Sequence, residues 1–338
     1  MRFGAGDAFR RAAAAIGAAV ALALSHAALA TAATIPADPA PPSPPCGTLA
    51  SSFDPAVPPV YTHVVVIMDE NLGFNGWFGS AAAPYTNSLA AQCALATNMT
   101  AATHPSQPNY VALTSGILQV WNGTDQHSDA DNLFHQLDAA GSSWLALEEG
   151  MARPCAPGTS GVYKNGHNPA VWYDDLGPAG DGSCATDDVG FSPATFDPTT
   201  LPAFTWITPD LCDDMHWQPG CPGTSDASVQ AGDTWLAGLL PAIFATPDYQ
   251  AGKTIVLITW DEGDEATPKG IDCTVQTDID ATGCHVGLIA ASAYLTPGTQ
   301  DATRYTPYST LAAIETMDAL PLLGQSQTAT PLGPGMGF

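Results

Sequence analysis

Two long apolar runs, far apart in the chain, each stop on adjacent carboxylates. The first is His63-Val64-Val65-Val66-Ile67-Met68, followed by Asp69-Glu70-Asn71. The second is Thr254-Ile255-Val256-Leu257-Ile258-Thr259-Trp260, followed by Asp261-Glu262-Gly263-Asp264. Near-continuous β-branched and aliphatic runs predict strands buried on both faces, as in a parallel sheet. Ala203 to Ile207 and His285 to Ala290 read as further strands. Between them lie helical patterns: Asp131 to Ala140, with Leu133, Phe134 and Leu137 on one face and Gly141 as a stop; Val229 to Ala245, with Pro241 as a kink or break; and Ser309 to Leu320. Strands alternating with helices predict an α/β fold, a mostly parallel central sheet flanked by helices. The Gly/Pro-rich stretches 152–200 and 263–284 are then loops over the sheet edge.

The chain's beginning is of a different kind. Arg2, Arg10 and Arg11 precede the apolar stretch Ala12 to Leu24, and small residues follow at Ala28-Leu29-Ala30. This is the layout of a secretory signal peptide over residues 1–30, its apolar part too short to span a bilayer. A Pro/Ala-rich leader over 31–45 then leads into a single domain over 46–338. Export places the protein in a secreted or periplasmic compartment. All eight cysteines lie beyond the signal segment, and an even number in an exported chain predicts up to four disulfides. Cys212 with Cys221 and Cys273 with Cys284 would close short local loops. A zinc–thiolate site is the rival reading, but no CxxC spacing supports it.

Charge narrows the chemistry. The formal net charge is −25, and beyond the signal segment Arg153, Lys164, Lys253, Lys269 and Arg304 are the only lysines and arginines. Such a chain repels nucleic acid and anionic membranes, so neither nucleic-acid binding nor stable membrane association is expected. Any bound phosphate must be held by metal and backbone rather than by an arginine clamp. Ligands in open α/β sheets bind just beyond the carboxyl ends of the strands, which is where both carboxylate pairs fall. Burying carboxylates there is costly without a cationic partner, and a divalent metal ion is the simplest one.

Other segments offer chemistry alongside blander readings. Thr103-His104-Pro105-Ser106-Gln107-Pro108-Asn109-Tyr110 sets a serine between two prolines; Ser106 either presents its hydroxyl at a helix start or simply caps one. Asp210-Leu211-Cys212-Asp213-Asp214-Met215-His216 supplies hard oxygen and nitrogen donors, or is a solvated acidic loop. His167 and His285 are isolated histidines, and Asn122, in Trp121-Asn122-Gly123-Thr124, either offers an amide to a substrate oxygen or sits in a turn.

Taken in order, these segments resemble the phosphoesterase family that includes bacterial acid phosphatases and phospholipases C, within the alkaline-phosphatase-like superfamily. The matching stretches are His63 to Asn71 with Trp77-Phe78-Gly79, His104 to Gly116, Tyr163 with His167-Asn168-Pro169, Ile207 to His216, Gly232 to Leu236, Thr259 to Gly263, and Tyr308 to Glu315. The resemblance implies an alkaline-phosphatase-like sandwich and a hydrolase of phosphoric esters. It implies that Glu70 and Asn71 hold a catalytic metal with Asp261 and Glu262, and that Ser106 is the nucleophile of a phosphoserine intermediate. Asp210 and His285 become candidates for a second ion, Asp214 and His216 for catalysis, and His167 for substrate binding; Asn122 joins His167 as a substrate-binding candidate from its own segment, not from the resemblance. One or two divalent ions are implied, with Mg, Mn, Ca and Zn all open. Pro307-Tyr308-Ser309 stands where relatives commonly have His-Tyr-Ser, and Glu70-Asn71-Leu72-Gly73-Phe74 departs from the phospholipase C continuation. The expectation is therefore a secreted phosphomonoesterase acting on a small phosphorylated substrate, its oligomeric state open. A phospholipase C-like phosphodiesterase, a serine acyl hydrolase and a non-catalytic Ca-binding secreted protein are the alternatives.

Overall fold

The computed structural model describes residues 44–333 and 336, apart from 53, 55–58, 120–126, 178–181 and 264–268. The signal segment, most of the leader, Asn122 and Asp264 lie outside the described residues. Eight strands form one sheet: β1 (His63–Asp69), β2 (Ala94–Ala96), β3 (Trp144–Glu149), β4 (Asp188–Phe191), β5 (Phe204–Thr208), β6 (Thr254–Trp260), β7 (Leu288–Ala291) and β8 (Thr299–Asp301), in the order β4-β3-β5-β1-β6-β7-β2-β8. From β4 through β6 neighbouring strands run parallel, whereas β7 is antiparallel to both β6 and β2. The expected α/β fold with a mostly parallel sheet is the one observed. Every residue of β5 and β6, and all of β1 except His63, is buried, as expected of central strands covered on both faces.

Five helices of eight residues or more lie among the described residues: α1 (Pro84–Gln92), α2 (Gln107–Ser115), α3 (Leu133–Ala140), α4 (Ser225–Phe244) and α5 (Pro307–Met317). Helix α2 packs against α5 and α1 against α4. In α3 the anticipated stop at Gly141 is a left-handed C-cap (φ 69°), and Asn132 caps the other end by accepting from the His135 amide. Helix α4 runs straight through Pro241. That proline stands near the helix end, so only one backbone hydrogen bond is lost there. Strand β4 lies within a stretch read as loop, because four residues containing Asp188 and Gly190 carry too little periodicity to announce a strand. Strand β7 begins at Leu288 rather than His285.

Four disulfides tie the loops down. Cys212–Cys221 and Cys273–Cys284 are the local pairs expected, and Cys46–Cys93 and Cys155–Cys184 complete the set. No helix among the described residues is long and apolar enough to cross a membrane.

Helix α5 carries a buried carboxylate that gives a pH-dependent stability. Glu315 is fully buried and accepts from the Leu323 amide at 2.8 Å and the Ser326 hydroxyl at 2.6 Å. Burial outweighs these bonds and pushes its pKa up to about 7. Because the folded value lies above the unfolded one, the folded state holds the extra proton between about pH 4.5 and 7. This contribution is present in full below about pH 4.5 and is lost as pH rises through about 7. Glu315→Gln should flatten that part of the stability curve by on the order of 2 kcal/mol, read as the difference in urea midpoint between about pH 5 and about pH 7. An unchanged slope in the variant would count against this assignment.

Candidate active site

Parallel pairing of β1 with β6 places Asp69 level with Trp260, so the two carboxylate-bearing turns leave the sheet side by side. The Asp261 amide donates to the Asp69 carbonyl at 3.0 Å. Asp261 Oδ1 then accepts from the Asn71 amide at 2.9 Å and from the Glu262 amide at 2.6 Å. One carboxylate oxygen thus organises both turns. Asn71 has φ 41°, the left-handed region that Asn tolerates better than most residues. Gly263 keeps the second turn compact: its amide donates to the Gly283 carbonyl at 2.8 Å, and a Cβ would lie 2.3 Å from that oxygen.

Ser106 immediately precedes α2 and makes no side-chain cap, which leaves its hydroxyl to the cluster. Asn109 holds the preceding turn by accepting from the Ala102 and Thr103 amides at 2.8 and 2.9 Å. Ser106 Oγ donates to Glu70 Oε2 at 3.0 Å or Glu262 Oε1 at 3.3 Å, and accepts from Asn71 Nδ2 at 3.3 Å. Tyr110, four residues on and so on the same helix face, donates to Glu70 Oε1 at 2.7 Å. Ser106, Glu70, Asn71, Glu262, His167 and His216 all line one cavity of about 630 Å³, within the size range of small-molecule sites.

The electrostatics are those of a cation site. Glu70, Asp261 and Glu262 are all buried, and among the described residues no lysine or arginine forms an ion pair with them. Burial, then the charge of Asp261 and Asp214, raises Glu70 well above the ordinary carboxylate range. Asp261 is pushed up to about 7 by burial and then by Glu262. Asn71 Oδ1 and Asp261 Oδ2 are buried without hydrogen-bond partners. Buried acceptors left unpaired in this way are unusual. Carboxylates with an amide oxygen are a donor set suited to a hard divalent cation, so the residues present fit such an ion.

Other anticipated residues fall into place differently. His167 Nε2 lies 3.2 Å from Glu70 Oε1. Burial, then the positive charge of Lys164, holds its pKa down at about 3, so the imidazole beside Glu70 is neutral and the contact is not an ion pair. Asp214 is sealed beneath the cluster: its carbonyl accepts the Glu70 amide at 2.8 Å and Oδ1 accepts the His216 amide at 3.0 Å. Its carboxylate does not line the cavity, so it supports the site from below. His216 does line it, with Nδ1 2.7 Å from the Gln218 amide nitrogen.

Two expected metal ligands lie outside this cavity. His285 has both ring nitrogens engaged, with Asp280 at 2.7 Å and the Thr97 carbonyl at 2.8 Å, and stacks on Phe74 beside a separate, smaller cavity. It precedes β7 instead of standing on it, and it does not line the cavity that holds Ser106. Asp210 sits with Glu149 and Asp213 and does not line the main cavity. Asp69 is buried with both carboxylate oxygens unpaired and does not line the cavity. His104 has no role that the sequence announces, yet its Nδ1 lies 2.7 Å from Glu262 Oε2. Burial opposes a charge on His104, but Glu262 and Asp261 outweigh it and hold its pKa above the ordinary value. Tyr110 is likewise unannounced, although its i+4 spacing from Ser106 is a usable signal.

This geometry coincides with a family assignment. The model of the Phosphoesterase family matches residues 76–321. The chain belongs to the Phosphoesterase family. Membership makes this phosphoesterase a hydrolase of phosphoric ester bonds. A phosphatidylinositol-3-phosphatase of Mycobacterium tuberculosis is 28% identical over 81% of this chain and 82% of its own length. An acid phosphatase of Aspergillus niger is 27% identical over 78% of this chain and 60% of its own length. The phosphoesterase therefore spans less than two thirds of that fungal relative. In fold it is similar to a Vibrio parahaemolyticus protein described as being in the alkaline phosphatase superfamily, which superposes with a TM-score of 0.53 at 12% identity, over 82% of this chain and 72% of the other.

Proposed function

We propose that the phosphoesterase is an exported, metal-dependent phosphomonoesterase that works through a phosphoserine on Ser106. The observation that carries this reading is Ser106 Oγ held between Glu70, Glu262 and Asn71, inside a cluster of buried carboxylates with unpaired oxygens. Four disulfides and the signal-like first residues support export. Glu70, Asn71, Asp261 and Glu262 would hold a divalent cation, whose charge would stabilise the Ser106 alkoxide and the phosphoryl oxygens. The relatives named phosphatases favour a monoester as substrate.

The protein's own groups account for the rest. Asn71 Nδ2 and the two glutamates fix the Ser106 oxygen toward the cavity, and Glu262 or Glu70 takes the hydroxyl proton. The Ser106 Oγ–P bond forms as the ester P–O bond breaks, and the departing alcohol takes a proton from the cavity wall, where His216 stands. Water then attacks phosphorus and gives its proton to the wall group that protonated the alcohol, the Oγ–P bond breaks, Ser106 takes back its proton from Glu262 or Glu70, and inorganic phosphate leaves. Tyr110 and His167 hold Glu70 in place, and His104 holds Glu262. The test is p-nitrophenyl phosphate turnover before and after EDTA. Activity should fall by at least about 100-fold on chelation and return with Mg²⁺, Mn²⁺, Ca²⁺ or Zn²⁺; full activity in EDTA would sink the metal assignment.

A further inference from the structure

The structure assigns a second anion-binding subsite to Lys164 and Lys269, so that the preferred substrates of this phosphatase carry another anionic group beside the scissile phosphate. The inference rests on the phosphomonoesterase reading and begins from a scarcity. Beyond residue 30 the chain has five lysines and arginines, and three are engaged elsewhere or do not face the site. Arg304 donates to the carbonyls of Cys273 and Thr274, Lys253 pairs with Asp248 at 3.1 Å, and Arg153 is not on the cavity wall. The remaining two, Lys164 and Lys269, both line the main cavity, and neither forms an ion pair among the described residues.

Their positions are fixed by the backbone of the site itself. Lys164 directly precedes the short turn Asn165–His167. Its aliphatic stem lies over Gly166, where a Cβ would meet the Lys164 Cε at 3.5 Å. Three residues on, His167 Nε2 lies 3.2 Å from Glu70 Oε1. Lys269 is held beside the nucleophile segment by its neighbour: the Gly270 amide donates to the His104 carbonyl at 2.6 Å. The two lysines therefore approach the same cavity from different segments, the His167 turn and the His104–Ser106 segment. Both are exposed, so they stand at the rim, while the carboxylate cluster forms the floor. A cavity of about 630 Å³ holds more than a phosphate group, and the carboxylate floor repels any anion not neutralised there by metal. Against the field of an acidic protein, two ammonium groups at the rim favour a substrate whose far end is itself anionic. A second phosphate, a phosphodiester or a carboxylate would serve.

The experiment compares fructose 6-phosphate with fructose 1,6-bisphosphate in wild type, Lys164→Gln/Lys269→Gln and Lys164→Arg/Lys269→Arg. Wild type should favour the bisphosphate about tenfold in kcat/KM, through KM, and lose that preference as salt is raised. The Gln pair should bring the two substrates within about twofold while leaving fructose 6-phosphate unchanged, and the Arg pair should keep the preference. Calorimetric binding of both sugars to Ser106→Ala protein, with and without the Gln pair, reads the subsite without turnover. A phosphatidylinositol monophosphate in phosphatidylcholine vesicles, compared with its deacylated form, separates a lipid headgroup from a soluble anion. A lysine-dependent gain on any of these ligands supports the subsite. Equal affinity for mono- and bis-anionic ligands, or equal losses on both in the Gln pair, overturns it. Absence of all turnover with lysine-dependent binding intact would instead overturn the catalytic reading alone.

Discussion

Ser106→Ala should lower kcat for p-nitrophenyl phosphate by about 10⁴-fold or more, the scale seen when a covalent nucleophile is removed. The structure makes the substitution a clean one. Ser106 makes no side-chain cap to α2, so the helix loses nothing at its start. Glu70 Oε2 keeps its bond from Asn71 Nδ2 at 2.6 Å, and Oε1 keeps that from Tyr110. Stability should stay within about 1 kcal/mol of wild type, so lost activity cannot be ascribed to unfolding. Acid quenching of wild type with a labelled phosphomonoester should trap phosphate on the protein, and the variant should trap none. A loss below about tenfold, or equal labelling of both proteins, would mean that the hydroxyl is a bystander.

Why so much of this site is legible in the chain, and some of it not, follows from the spacing of its parts. The β1 and β6 runs are continuous and apolar because both strand faces are covered, and each ends where the sheet ends. Parallel register sets Asp69 level with Trp260, so Glu70-Asn71 and Asp261-Glu262 leave the sheet as neighbours. Ser106 is legible because prolines on either side limit its backbone. His285 misleads because it adjoins an apolar run: a histidine beside a strand looks available until its ring nitrogens are found on Asp280 and the Thr97 carbonyl. His104 and Tyr110 escape notice because their roles depend on contacts with residues far along the chain. His104 meets Glu262 and Tyr110 meets Glu70, and neither partner follows from local periodicity. Strand β3 is hidden for a related reason, since Glu148 and Glu149 disguise a segment whose Glu148 is in fact buried.

Asp261→Asn should move metal affinity and metal-free stability in opposite directions. The side-chain oxygen of the introduced amide could still accept the Asn71 and Glu262 amides that Asp261 Oδ1 receives at 2.9 and 2.6 Å, so both turns keep their shape. What disappears is a buried negative charge beside Glu70 and Glu262, together with an unpaired oxygen, Oδ2. Without metal that charge is unfavourable, because burial and the neighbouring carboxylate both oppose it. The metal-free variant should therefore melt about 2 °C or more above metal-free wild type. With metal the sign reverses: the same charge attracts the cation, and its loss should weaken binding by at least about 100-fold and lower kcat/KM by about 10³-fold at limiting metal. Thermal melts across a Mg²⁺ or Mn²⁺ titration read both effects in one experiment, since stabilisation by a ligand grows with its concentration relative to Kd. If wild type and variant gain the same increment from metal at every concentration, the ion is not bound at Asp261, and the pairing of the β1 and β6 turns serves the fold alone.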